Sequence, residues 1–518
     1  MGLPDDSFKQ GVQHVEQNNA VSDAVKAVEN RDLERIEETK PGTFVWLCVA
    51  ATAIGGMLFG YDTGVISGVL VVIGQDLDNK DLTHSEKELI TAVTAAGALI
   101  GAVIAGITAD KYGRKPAIWF ASILFTIGAL LQATSFTIAQ MTVGRLVIGF
   151  GVGSASMIVP LYIAEISPAR FRGRMISIDM IFLGAGSVLA YAFAAAFNTT
   201  AHGWRYMVGI GGVPSIILGI LLFWCPESPR QLMFHGHRDD CIRVLRQIYP
   251  NGSEDEIADK VISIERGVNQ AKVLNEEISL RKSVTSLFKV PANLRAVTSA
   301  CGLMAAQQLC GFNTLMYYKS QGLFQIVGFS NPVAVGTVVA GTNFIFTVLS
   351  IFLIDRIGRR RILLWTMWGM PVCLAVAAIA FHWIPLDNNT LELTTKEVGW
   401  PATLVLVAMI MFVAFYAAGL GSMGTMMINI FNWGPNIIVS STFLSMMRGM
   451  TPSGTFGLYA GLSFLGWVFV IFCFPEAANM TLEEIRVVFE HGFGVRYAEE
   501  WRKQRKLDVQ ARKEENTV

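Results

Sequence analysis

Apolar stretches about the length of a bilayer crossing, roughly 20 residues, alternate along the chain with short charged turns. They fall at 44–69, 88–109, 116–136, 138–160, 175–197 and 204–224, and after a charged interval at 293–322, 332–354, 362–385, 400–421, 424–447 and 453–474. The pattern predicts an all-α membrane protein of twelve helices in two sets of six. The boundaries it sets are a polar tail over 1–43, a bundle over 44–225 and a linker with short helices over 226–292. A second bundle over 293–474 and a polar tail over 475–518 complete the chain.

The two sets resemble each other. Asp110-Lys-Tyr-Gly-Arg-Lys115 returns as Asp355-Arg-Ile-Gly-Arg-Arg360, each copy between two apolar stretches. A pseudo-symmetric pair of bundles is therefore expected, the arrangement common among secondary transporters. Lysine and arginine gather in the turns 110–115, 165–174 and 355–361 and are scarce in 198–203 and 386–399. Because cytosolic turns carry the basic excess, both tails and the linker are expected on the cytosolic side. A plasma-membrane location is expected.

Composition narrows the function. Only 16% of the residues are charged, against about a quarter in soluble proteins. The net charge of zero gives no sign of nucleic acid as a partner. The seven cysteines have no paired spacing and read as small membrane-helix residues rather than metal ligands or disulfides. Without a phosphate-binding loop or a nucleophile motif, neither direct use of ATP nor an enzyme is expected. No cofactor or metal is called for.

Asp62 in the first stretch and Arg145 in the fourth are the clearest ionisable residues inside apolar stretches. Counted from the helix ends they reach a similar depth, so each relieves the other's buried charge. Such a pair is either a static packing element or a proton switch that loosens when Asp62 is protonated. The seventh stretch carries Gln307, Gln308, Asn313, Tyr317 and Tyr318. Asn343 in the eighth and Asn432 beside Trp433 in the eleventh add polar groups at matching depth. Amides and phenols both donate and accept, which suits a neutral ligand rich in hydroxyls. Purely interhelical hydrogen bonding is the other reading.

The turns carry a further cluster. Asp110 and Arg114 in one copy, Asp355, Arg359 and Arg360 in the other, can clamp helix ends through ion pairs that break as the bundle opens. Glu165, Arg170, Arg172, Glu227 and Arg230 would complete this cytosolic gate. The alternative is simple positive-inside anchoring, and the two readings are compatible. Gly56, Gly60, Gly64 and Gly68 recur every four residues in the first stretch, a smooth stripe for close helix approach.

With these motifs in order, the chain resembles the sugar-porter branch of the major facilitator superfamily, and most of all the fungal myo-inositol–proton symporters. The matching phrases include Gly60-Tyr-Asp-Thr-Gly-Val-Ile-Ser-Gly68, Pro160-Leu-Tyr-Ile-Ala-Glu-Ile-Ser-Pro168 and Pro226-Glu-Ser-Pro-Arg230. Gln307-Gln308, the run 311–318 and Pro475-Glu476 continue the pattern. The resemblance implies inward movement of a small neutral polyol or monosaccharide with protons, by alternating access, in a chain working as a monomer. It implies that Gln307, Gln308, Asn313 and Asn343 hold hydroxyls, that Tyr317 and Tyr318 lie near an outer gate, and that Asp62 with Arg145 couples the proton. Glu476 joins the cytosolic gate. Alternatives are a hexose, pentose or other polyol carrier, and a sugar sensor or transport-impaired variant.

Two departures from the family pattern stand out. The fifth stretch has Met180, beside Asp179, where the family has a sugar-facing glutamine, so either the ligand is held differently there or Asp179 takes a polar role. After Gly421, about twenty residues of the pattern are absent, roughly one crossing's worth. They include a tryptophan that lies against the sugar and the second-half counterpart of the Pro160–Gly173 segment. A shortened tenth helix is expected.

Overall fold

The computed structural model describes residues 36, 39, 41–168, 170–277, 285, 287–318, 327, 329, 332–386, 393, 399–423, 429–476, 480 and 487–504. Apart from one isolated bridge between Leu386 and Leu393, its regular structure is helical. Ten helical spans among these residues are long and apolar enough to cross a bilayer.

The first set consists of α1 (Thr43–Val72), α2 (His84–Tyr112), α3 (Arg114–Ala133), α4 (Ile138–Ile166) and α5 (Arg172–Phe197). A sixth span is built from α6 (Gly203–Ile210) and α7 (Gly212–Leu221). Helix α2 starts at a reciprocal cap: Thr83 Oγ1 accepts from Glu86 N–H while the Thr83 N–H donates to Glu86 Oε2. The glycine stripe of α1 is fully used. Gly56, Gly60, Gly64 and Gly68 meet Asp179, Leu183, Ser187 with Ala190, and Ala194 of α5 in turn. At Gly60 a Cβ would fall 1.8 Å from the Leu183 carbonyl oxygen, so no larger residue fits while α1 and α5 stay packed.

Three helices follow: α8 (Pro229–Phe234), α9 (Arg238–Ile248) and α10 (Glu254–Glu277). Met233, Val244, Leu245, Ile248, Ile257 and Val261 share one apolar cluster with Val45 and Cys48 of α1 and Ile163 and Ile166 of α4. The linker is thereby docked on the ends of the first bundle.

The second set runs α11 (Pro291–Leu309), α12 (Phe312–Tyr318), α13 (Pro332–Ile357), α14 (Arg359–Met367), α15 (Gly369–His382), α16 (Trp400–Ala418), α17 (Leu420–Met423), α18 (Asn429–Gly449) and α19 (Thr451–Cys473). Helices α11 and α18 fall outside the ten apolar spans. Their amides explain this: Gln307, Gln308, Asn432 and Asn436 line an interior cavity instead of meeting lipid. Helix α16 has 19 residues, against 29 in α4.

The two sets meet along α2 with α18, α5 with α13, and α12 with α1. The repeated turn reappears in three dimensions. Gly113 (φ +111°) and Gly358 (φ +97°) both take positive φ, open to glycine and strained for other residues, just before the next helix. Glu227 then accepts from the Arg114 and Lys115 N–H groups, and Glu476 from the Arg360 N–H. Each acid caps a helix whose first N–H groups have no partner within the helix.

Candidate functional site

A cavity of about 120 Å³ lies between the two sets of helices. Phe59 and Thr63 of α1, Ser156 of α4 and Met180 and Ser187 of α5 line one side; Gln307, Gln308, Asn313, Asn343, Thr347, Tyr416, Asn432, Trp433 and Asn436 line the other. None of the described lining residues is charged. The helix break makes this polar group possible. Gly311 takes φ +82° between α11 and α12, and the turn places Asn313 alongside Gln308.

The amides form a chain. Asn313 Nδ2 donates to Gln308 Oε1, and Gln308 Nε2 donates to Asn432 Oδ1. Gln307 Nε2 donates to the Leu420 carbonyl at 3.0 Å. Trp433 Nε1 and Asn436 Oδ1 are buried at the cavity wall without a hydrogen-bond partner, one donor and one acceptor a helical turn apart. A buried polar atom left unpaired is costly, and a ligand hydroxyl can both accept from the first and donate to the second. Trp433 also packs on Phe59 across the interface, ring centroids 5.5 Å apart.

The sequence places Gln307, Gln308, Asn313, Asn343, Asn432 and Trp433 at a shared interior, and the structure brings them together there. Tyr317 lies just outside the lining, buried, with its hydroxyl 3.5 Å from Asn436 Nδ2. The Tyr318 side chain lies outside the described residues. Asn436, Thr347 and Phe59 were missed: a single amide on an amphipathic helix gives no signal until its facing is known.

Asp179 does not line the cavity, which corrects its assignment as a substrate contact. Its side chain points at Gly56 of α1, 3% exposed, while its neighbour Met180 faces the cavity. Consecutive helical residues point about 100° apart, so only one of the two can face the ligand.

Asp62 and Arg145 meet as expected. Arg145 Nη1 donates to Asp62 Oδ1 at 2.5 Å, and both side chains are buried. Arg145 Nε also donates to the Ile90 carbonyl at 3.3 Å. Beside the pair is a small cavity of about 20 Å³ lined by Asp62, Tyr61 and Gln132, room for about one water. Both Gln132 amide atoms lack a partner, marking it as a polar neighbour of Asp62 that the sequence did not single out.

On the side of the charged turns, Arg114 bridges Asp110 at 2.9 Å and Glu165 at 3.2 Å. Burial lifts the Glu227 carboxyl above its usual range, against the pull of the Ser228, Arg114 and Lys115 N–H groups and the Arg114 charge. In the second half Arg360 bridges Glu499 at 3.0 Å, and Arg502 reaches Glu476 at 3.5 Å. The Asp355 side chain lies outside the described residues.

Arg170, Arg172, Arg230 and Arg359 make no ion pair among the described residues, so the expected gate is only partly assembled. Arg172 Nε instead donates to the Ala164 carbonyl, Arg170 lies 5.9 Å from the Phe171 ring, and Arg230 and Arg359 are exposed. Arg172 and Arg230 border a cavity of about 440 Å³ between the first bundle and the linker helices.

The family described as "Sugar (and other) transporter" matches residues 48–489. The chain is 40% identical over 490 residues to "Myo-inositol transporter 1" of Cryptococcus neoformans var. grubii, covering 91% of this chain and 86% of the relative. It is 41% identical over 494 residues to "Myo-inositol transporter 2" of Schizosaccharomyces pombe, covering 92% and 87%. Among solved structures, the proton:xylose symporter XylE bound to 6-bromo-6-deoxy-D-glucose superposes with a TM-score of 0.71 at 24% identity, covering 86% of this chain and 99% of that one. The partially occluded inward-open form of XylE from E. coli gives 0.70 at 23%, covering 85% and 100%. At those identities the likeness is one of fold.

Proposed function

The chain belongs to the sugar-porter branch of the major facilitator superfamily, and from that membership we propose that it carries myo-inositol inward together with protons. Twelve crossings in two six-helix halves enclose the site, with both tails in the cytosol and the chain acting as a monomer in the plasma membrane. The ten apolar spans together with the amide-bearing α11–α12 and α18 support that count. The basic excess in the turns 110–115 and 355–361 supports the orientation.

One observation carries the substrate class: an uncharged cavity walled from both halves, with linked amides on the second-half side and a buried donor and acceptor left unpaired. A polyol satisfies such a wall hydroxyl by hydroxyl, whereas a charged ligand would be left without a counter-charge. Myo-inositol within that class follows from the relatives that bear its name.

Alternating access follows from which contacts span the halves. Glu88 of α2 accepts from the Ser445 N–H and hydroxyl of α18 at 2.9 and 2.7 Å. Tyr191 of α5 donates to the Met316 carbonyl of α12 at 2.9 Å. In the proposed orientation Glu88 and Ser445 lie toward the outside, so they hold the external side closed. The observed ion pairs of Arg114, Arg360 and Arg502 each stay within one half. Protonation of Asp62 would release Arg145 and bias the bundle between its two faces.

The test is uptake of labelled myo-inositol into cells lacking their own carrier, with unlabelled glucose, xylose and other inositols as competitors. Preferred competition by inositols is expected. Uptake blocked equally by glucose or xylose would move the substrate to the hexoses or pentoses, and no uptake of any of them would overturn the reading.

A further inference from the structure

Asp62 has Arg145; another carboxyl buried among the crossings, Asp179, has no such partner among the described residues. Asp179 sits on α5, 3% exposed, and its Oδ1 has no hydrogen-bond partner. It presses against Gly56, where an added Cβ would fall 2.3 Å from that oxygen. The site therefore requires the bare glycine opposite it, and it admits no side chain from α1 that could neutralise a charge.

The charged residues on helices packed against α5 are engaged or elsewhere. Asp62 is the only charged residue of α1, and it holds Arg145 of α4. Glu165 of α4 is bound to Arg114, and Arg205 of α6 donates to the Ala133 carbonyl and lies over the Phe136 and Trp204 rings. Asp355 and Arg356 stand at the far end of α13, with side chains outside the described residues. None of the described groups forms an ion pair with Asp179. On its own helix Arg172 is turned to the Ala164 carbonyl, and Arg174 is exposed.

A bare carboxylate in this setting would be an uncompensated charge in a dry interior, and such groups take up a proton instead. The placement gives that proton a route. Helix α5 packs on α1 in its own half and on α13 in the other, so it lies at the interface that must rearrange. The next residue, Met180, already faces the cavity, so a turn of α5 of about 100° exchanges the two positions. Gly56 lies six residues before Asp62 on α1, about 9 Å along the axis toward the cytosolic end.

We propose that Asp179 is a second proton-carrying carboxyl, loaded while the site faces outward, carried as the neutral acid in the closed packing against Gly56, and emptied to the cytosol. The carboxylate oxygen gains a proton from external water and returns it to internal water, so nothing else is consumed. Two protons then accompany each substrate, one through Asp62 and one through Asp179. This rests on the symport reading above.

The test is the inositol gradient reached at equilibrium in vesicles holding the purified protein, with a pH gradient imposed and the membrane potential clamped at zero. With two protons per cycle a tenfold proton gradient sustains about a hundredfold inositol gradient, with one about tenfold. The wild-type protein is expected near a hundredfold, Asp179→Asn near tenfold and Asp179→Glu near wild type. Exchange of labelled for unlabelled inositol, which needs no net proton movement, reports whether the variants are folded. Asp179→Ser replaces the asparagine variant if that one fails exchange. A wild-type value near tenfold, or an unchanged gradient in a variant competent for exchange, overturns the proposal. Absence of any wild-type accumulation overturns the symport reading instead.

Discussion

Arg114 and Arg359 hold the same place in the two copies of the charged turn, yet Arg114 is buried against Glu165 and Arg359 is exposed. The difference follows from the chain. Glu165 belongs to the Pro160–Gly173 segment, and the second half has no charged residue between Gly399 and Met447 to play its part. Among the described residues, Arg359 thus has no counterpart of the Arg114–Glu165 pair.

Removing the buried partner should therefore cost far more than removing the exposed one. Glu165→Gln leaves the Arg114 guanidinium in a largely dry site with the exposed Asp110 as its remaining ion-pair partner beside the Ala109 carbonyl, and a loss of about 3 kcal/mol is expected. Arg359→Gln should change stability by no more than about 0.5 kcal/mol. Thermal unfolding of the purified variants in detergent compares the two; equal shifts in Tm would remove the asymmetry.

Gln308 joins Asn313 to Asn432 and so links α11, α12 and α18 at the cavity wall. Gln308→Leu keeps the volume but strands both amides, and about 2 kcal/mol of ligand binding should go with it. That corresponds to roughly a thirtyfold rise in KM for the substrate. Initial-rate uptake at varied substrate concentration measures it, and an unchanged KM would place the ligand elsewhere.

The hydrogen bonds from Ser445 to Glu88 tie α18 to α2 across the two halves. Glu88→Ala should free the outer side and favour the outward-facing form. A cysteine introduced at Asn436 should then react several-fold faster with an external, membrane-impermeant thiol reagent, since net hydrogen bonds of this kind are worth about 1 kcal/mol each. A background free of exposed cysteine reactivity is at hand, because six of the seven native cysteines are buried and Cys473 is partly so. An unchanged rate would mean that this contact does not hold the outside shut.

Much of this was legible in the sequence because the bilayer makes polar residues conspicuous. Asp62 and Arg145 stand out in apolar stretches, and counting helix rise from each end brings them to one depth. The glycine repeat in α1 announced a close neighbour, although only the structure names α5. Asp179 was misread as a cavity residue because facing depends on helix rotation, and a one-residue error turns the side chain by about 100°. Glu88 and Gln132 were passed over because a lone polar residue near a helix end reads as solvated. The missing charged segment was visible as absence, and the exposed Arg359 is its physical counterpart.

The most direct test of the account is whether inositol moves protons. Cells expressing the chain are suspended in weakly buffered medium, and external pH is followed as myo-inositol is added, beside labelled uptake. Alkalinisation of the medium in step with uptake, with fewer protons per inositol in Asp62→Asn than in the wild type while labelled exchange persists, is the predicted result. Uptake without any proton movement, or Asp62→Asn moving as many protons per inositol as the wild type, would contradict it.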